Sequence, residues 1–261
     1  NPIEDIFKDA KRFGYDYIEL WGARPHAYPF DLKNGGIDEI KKLIYQYEIP
    51  VIGFTPEMNA YPYNMMIGTE AMRRDSVEYV KLSMDMAKEM GADFTLISAA
   101  HAGYQATTQE IWQRLIKCMR EITEHAEKIE HKVILEALTP YESNAVTTAN
   151  DLTEVFRVIP SPYLVGMCDV VPPYVQQESI MAYLDKLGDK MYHIHIVDSD
   201  GSSDTHIMPG EGQMPLKELI TELKEAKYDR TMTIELVTAY INEPRLYARR
   251  AISNIKSLLE E

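Results

Sequence analysis

The chain has 261 residues, is 45% hydrophobic and carries a formal charge of −14, which allows a sizeable core and gives the wrong sign for a nucleic-acid partner. No apolar run approaches the roughly 20 residues that span a bilayer, and the start shows no signal-peptide pattern, so no membrane partner is expected. The cysteines, Cys118 in a helical pattern and Cys168 inside a strand, are too few and too far apart for a disulfide framework or a zinc finger. They read as buried free thiols in a reducing, cytoplasmic setting.

In chain order, residues 3–13 read as a helix with Ile6, Phe7 and Ala10 on one face. Strand candidates follow at 15–21, 50–55, 93–99, 132–137, 164–169, 191–197 and 231–237. Amphipathic segments separate them. Ile111, Leu115, Cys118, Ile122, Ala126 and Ile129 recur at helical spacing, as do Leu152, Val155, Phe156 and Ile159. Leu216, Leu219, Ile220 and Leu223 form another such stripe, and the last helix carries Ala248, Ile252, Ile255 and Leu259 on one side. The methionines around 84–90 read as helix packing.

Repeated strand–loop–helix units imply a parallel sheet, and the length suits a (β/α)8 TIM barrel, which takes roughly 250 residues. The expectation is one domain over residues 1–261 with the first strand absent from the sequence given; a cleaved chain or an open seven-stranded barrel is the less economical alternative.

The late strand candidates end on metal-binding residue types: Glu136, Asp169, His195 and Glu235. Successive members are one strand–helix step apart, so all four emerge on one face of the barrel. Three carboxylates and an imidazole suit one divalent cation of the Mn²⁺, Co²⁺, Ni²⁺ or Mg²⁺ kind. Against a dication they leave a net charge near −1, which favours neutral sugar oxygens over anions. His193 shares the face of His195 one layer deeper and reads as a hydrogen-bonded core histidine.

Other polar residues belong to the same rim. Asp204 and His206 close a polar loop after the sixth strand candidate, within reach of the metal edge or of substrate hydroxyls. Glu142 reads as a hydroxyl-binding carboxylate or an exposed acid, and His101 as a functional or a loop histidine. The segment 55–64, with two prolines and two tyrosines, reads as a wall or lid of the pocket.

The phrases 21–26, 55–66, 98–103, 138–144, 197–206 and 242–249, together with the four strand-end residues, resemble the xylose-isomerase-like barrels. Within these they are similar to the ketose 3-epimerases of the fructoselysine branch. The resemblance implies that Glu136, Asp169, His195 and Glu235 hold one metal, that Glu142 binds substrate, and that the substrate pair is fructoselysine and psicoselysine. Two positions depart from the tagatose and psicose branch. Pro172 stands where that branch has a substrate-contacting His, and Gly201 where it has an Arg, so a free ketohexose fits poorly as main substrate.

The implied mechanism is C3 epimerisation through an enediolate. A cation polarises the ketose C2 carbonyl, while Glu136 and Glu235 remove and return the C3 proton on opposite faces. Arg24, His26, Glu57, Asn59 and Tyr104 fall on the same end of the barrel but away from the late strands, placed for the amino-acid arm of the substrate. A homo-oligomer is expected. Alternatives are another sugar isomerase of the superfamily, a tagatose- or psicose-type ketohexose 3-epimerase, and a metal-dependent sugar-binding protein without turnover.

Overall fold

The computed structural model describes residues 2–58, 62–237 and 240–260. Helix α1 (Ile3–Phe13) leads into β1 (Ile18–Gly22), a short turn α2 (Pro29–Asp31) and α3 (Ile37–Tyr47). The chain continues through β2 (Val51–Pro56), α4 (Glu70–Met90), β3 (Phe94–Ser98), α5 (Thr108–Lys128), β4 (Lys132–Glu136) and α6 (Ala149–Val158). It ends with β5 (Leu164–Asp169), the short α7 (Val171–Val175), α8 (Met181–Leu187), β6 (Met191–His195), α9 (Leu216–Glu225), β7 (Thr231–Thr233) and α10 (Pro244–Glu260). The strands form one 7-stranded sheet in sequence order, every pair parallel. It curls into a near-closed TIM-type barrel with the helices outside.

Local chemistry sets the helix ends. Thr107 with Glu110 and Thr148 with Asp151 form reciprocal capping boxes at the starts of α5 and α6; such a cap contributes about 1 kcal/mol. Thr69 caps α4, which ends on Gly91 in the left-handed region at φ 89°. Met84, Met86 and Met90 are buried along α4, so the methionine cluster is packing.

Strand alternation sorts the side chains into layers. Outward-facing Val133, Leu135, Cys168 and Ile194 pack under the helices in the largest core cluster. Inside the barrel, Ile52, Phe94, Leu96, Ile134, Val165 and Met167 form an apolar plug. Two residues further along β4 and β5 stand Glu136 and Asp169, directly above that plug.

The seam between β1 and β7 differs from the sequence expectation. Among the described residues no strand lies between them, and β7 spans Thr231–Thr233 rather than 231–237. Its single partner β6 stops at His195, opposite Thr233, so the chain beyond has no ladder to join. A tyrosine ties the two edges. The Tyr17 hydroxyl donates to the Met232 carbonyl and accepts from the Met232 amide, both at 2.8 Å.

Behind that tie lies a cavity of about 400 Å³ lined by α1, β1, β7 and α10. Ile6, Ala248, Ile252 and Leu259 face it. That explains two corrections to the helix faces: α1 buries Ile3, Phe7 and Ala10 while Ile6 is exposed, and α10 buries Ala251 and Ile255. No helix is long and apolar enough to cross a membrane among the described residues.

Candidate functional site

The carboxyl ends of β4, β5 and β6 deliver Glu136, Asp169 and His195, and Glu235 follows two residues after β7. One ligand atom from each lies within 4.8 Å of the others, a grouping able to hold a metal ion. Glu136, Asp169 and His195 are buried. His195 Nδ1 sits 3.6 Å from Glu136 Oε1 and 2.9 Å from Glu235 Oε2. The second approach has ion-pair distance without hydrogen-bond alignment, so Nδ1 is a buried nitrogen with no hydrogen-bond partner. An orphaned imidazole nitrogen facing crowded carboxylates is what a cation would satisfy.

The electrostatics show the same crowding. Burial first, then Glu235, Asp169 and Glu19, push the Glu136 carboxyl well above its usual range against the pull of His195. Burial also opposes the Glu235 charge, but His195 and His206 outweigh it and hold that carboxyl low. Burial resists charging His195, yet Glu19 and Glu235 overcome it and raise its pKa well above the ordinary value. Three acids around one imidazole thus lack positive charge to share.

The loop after β6 brings in further polar groups. His206 Nε2 lies 2.8 Å from Asp169 Oδ2 and 3.4 Å from Glu235 Oε2, bridging two of the four. Burial works against its charge, but Asp169 and then Glu235 raise its pKa to about 12. Glu142 is raised to about 7 by burial and by the nearby Asp204 and Asp169. Asp204 is raised by burial, and its Oδ1 is buried without a partner.

Asp198 holds this loop in place. Its carboxylate accepts from the amides of Ser199, Gly210 and Met214 at 2.8, 3.0 and 2.9 Å, and its backbone pairs with Ile207. A Cβ at Gly212 would strike the Asp198 carboxylate, so a glycine is needed there.

The early-strand candidates are placed differently. Arg24 is exposed and forks onto Asp31 at 2.7 and 2.8 Å, with its guanidinium over the Tyr28 ring. Glu57 is half-buried and close enough to Tyr79 to raise that phenol electrostatically, as a minor contribution behind burial. His101 accepts from the Gly103 amide at 2.9 Å through Nδ1 and contacts the Tyr104 ring, both in its own loop. Tyr104 is 95% exposed. Segment 55–64 is described only at its flanks. Met58 is buried and Tyr63 stacks on Tyr79 at 3.9 Å, while Asn59 lies outside the described residues.

Glu19 on β1 escaped the sequence reading. It accepts from His195 Nε2 at 3.0 Å and from His193 Nε2 at 3.1 Å. His193 is fully buried, and burial is the main cause of its lowered pKa, in keeping with a core histidine. The available signal was an acid at the inward position of an Ile-Glu-Leu-Trp strand.

The departures from the tagatose and psicose pattern have a structural counterpart. Gly201 takes φ 72°, and a Cβ there would lie 3.2 Å from the Tyr174 ring, which fills the space a long side chain would need. Pro172 is buried in α7.

A family model described as a xylose isomerase-like TIM barrel matches residues 7–258. The fructoselysine 3-epimerase of Escherichia coli O157:H7 is 57% identical over 260 residues, covering 100% of this chain and 94% of that protein. Among solved structures, a 3-keto-D-glucoside 4-epimerase from E. coli superposes with a TM-score of 0.83 at 17% identity, covering 98% of this chain and 95% of the other. A D-tagatose 3-epimerase-like protein superposes with a TM-score of 0.79 at 22% identity, covering 95% and 89%. At those identities the structures speak for the fold. The chain belongs to the xylose isomerase-like TIM-barrel family.

Proposed function

We propose that this chain is a metal-dependent carbohydrate 3-epimerase, an isomerase that interconverts fructoselysine and psicoselysine. The observation that carries the reading is the cluster of Glu136, Asp169, His195 and Glu235 within 4.8 Å, in a chain 57% identical to a fructoselysine 3-epimerase. These four would hold one divalent cation, of the Mn²⁺, Co²⁺, Ni²⁺ or Mg²⁺ class that suits carboxylate and imidazole donors. Bound there, the cation supplies Lewis-acid polarisation of the C2 carbonyl, which acidifies the C3 proton.

The protein's own groups do the rest. Glu136 on β4 and Glu235 just beyond β7 approach His195 Nδ1, and we assign them the two faces of the planar enediolate. One carboxylate takes the C3 proton; the other returns a proton from the opposite side, and the configuration inverts. His206, hydrogen-bonded to Asp169 and near Glu235, keeps both carboxylates oriented. Glu142 and Asp204, both raised chiefly by burial, are assigned to substrate hydroxyls together with His206. Arg24, Glu57 and His101 are assigned to the amino-acid arm. Arg24 would meet its carboxylate from a site now held by Asp31.

We further read residues 1–261 as a single cytoplasmic domain, which the two buried free thiols favour, working as a homo-oligomer without nucleic acid. Exposed Trp21 and Tyr141 at the barrel mouth supply apolar surface that association would cover.

The test is proton NMR of fructoselysine incubated with the Mn²⁺-loaded protein in D₂O. Deuterium at C3 with psicoselysine appearing is expected. Exchange at C1 or C2 would indicate a 1,2-isomerase, and no exchange a binding protein.

A further inference from the structure

A carboxylate from the first strand crosses the barrel interior to the histidines of the sixth. Glu19 is 174 and 176 residues from its partners His193 and His195, and its side chain is only 7% exposed. Burying a charge this way is costly unless every lone pair finds a donor. Here the donors are present. Thr55 Oγ1 donates to Glu19 Oε1 at 2.7 Å, and both histidine Nε2 atoms converge on Oε2.

The direction of these bonds follows from the partners. Two ring nitrogens converge on Oε2 and a hydroxyl donates to Oε1, and all three contacts are hydrogen bonds only when the carboxylate accepts and both Nε2 atoms carry hydrogen. His193 Nδ1 is then an acceptor, and the Thr231 hydroxyl supplies the hydrogen at 2.7 Å. Register makes that contact: His193 lies opposite Thr231 in the β6–β7 pairing. The relay Thr231–His193–Glu19–His195 is complete, with Thr55 on the second Glu19 oxygen. Gly53 gives it room, because a Cβ there would lie 3.0 Å from Glu19 Cγ and press into the Phe94 ring.

We propose that Glu19 is a positioning residue for the metal centre: it fixes the His195 ring with hydrogen on Nε2 and turns the Nδ1 lone pair toward Glu136, Asp169 and Glu235. Glu19 does not reach the substrate and acts only through His195. This inference rests on the metal reading above. The orphaned Nδ1, flanked at 2.9 and 3.6 Å by Glu235 and Glu136, is the atom that the arrangement exposes. A charged acceptor on the far nitrogen also makes the near nitrogen a better donor to a cation, and loss of such a partner weakens metal affinity by about 10–100-fold. Glu19, His193 and His195 also form a cluster of their own that could close on an ion. In that arrangement His195 would give up Nε2, and the two arrangements compete for one ring.

The experiment combines calorimetry with Mn²⁺ on the full chain and ¹⁵N-histidine NMR of the Zn²⁺-loaded protein, for wild type, Glu19→Gln and Glu19→Ala. The expected result is a His195 ring protonated at Nε2 and metallated at Nδ1 in wild type. Mn²⁺ affinity should fall about 10–100-fold in Glu19→Ala and less in Glu19→Gln, which keeps an acceptor. Saturating Mn²⁺ should restore most of kcat to the folded Glu19→Ala protein, which a purely structural defect would not allow. Metal on Nε2 of His195 in wild type overturns the proposal even if no variant folds. So does a Glu19→Ala protein that binds Mn²⁺ within twofold of wild type. A wild-type protein that takes up no Mn²⁺ is recognisable separately, and it overturns the metal reading and this inference together.

Discussion

The two halves of the barrel mouth are built on different terms. On the late side, Glu136, Asp169 and His195 stand on strand ends, buried above an apolar plug and locked to one another and to His206. On the early side, Arg24, Glu57 and His101 sit in connections, and the side-chain hydrogen bonds of Arg24 and His101 are local, to Asp31 and to the Gly103 amide. Rigid strand ends hold groups to the fraction of an ångström that proton transfer requires. Loops tolerate change and suit recognition of the part of a substrate that does not react. The comparison assigns chemistry to the late wall and selectivity to the early one.

The sharpest way to break that comparison is to remove a late-wall donor. Asp169→Asn or His195→Ala should abolish Mn²⁺ uptake and epimerisation while circular dichroism shows an intact barrel, since both lie above the packed layer. Full occupancy and turnover in either variant would dissolve the four-residue assignment.

Next in size is the pair of acids. Glu136→Gln and Glu235→Gln should each lower the epimerisation rate by roughly 10²–10⁴-fold, the usual weight of a general acid or base. Each variant keeps the base for one face, so residual C3 exchange in D₂O should be confined to one epimer, a different one for each variant. Near wild-type rates in both would remove the two-carboxylate scheme.

The early wall should behave otherwise. Arg24→Ala or Glu57→Ala should lower kcat/KM for fructoselysine relative to free fructose or psicose by about tenfold, or about 1.4 kcal/mol. C3 exchange on the free ketose should change little. Equal losses on both substrates would place these residues in the chemistry, and no loss would take them out of the site.

How far these walls were legible in the sequence depends on the range of the signal. Glu136, Asp169 and His195 each end an apolar run, so local pattern and strand–helix alternation were enough to bring them together. The same pattern grouped Glu235 with them, although its strand stops at Thr233, because two residues beyond the strand end still leave it beside His195. Glu19 was not found, because the histidines that give it meaning are 174 and 176 residues away along the chain. The faces of α1 and α10 were misjudged for a related reason: Ile6 and Leu259 follow helical periodicity but look into the β1–β7 cavity, which periodicity does not reveal.

The smallest effect lies away from both walls. His131, hydrogen-bonded to Thr95 at 2.9 Å, is held down to about 4, chiefly by burial and then by Lys88. Its unfolded-chain value is about 6.5, so between those pH values the unfolded chain binds the proton and the folded one does not. The associated stability is present above pH 6.5 and is lost as pH falls toward 4. Melting temperatures across this range should drop less steeply in His131→Gln than in wild type, with specific activity per folded molecule unchanged. An unaltered slope would mean that His131 titrates alike in both states.

The most direct measurement of the central claim is a crystal structure of the Mn²⁺-loaded protein with a linear ketosamine, using anomalous scattering to place the metal. One manganese is expected at about 2.0–2.3 Å from oxygens of Glu136, Asp169 and Glu235 and from His195 Nδ1, with the C3 carbon between the two glutamates. Manganese held instead by Glu19, His193 and His195, or at the early-strand loops, would contradict it.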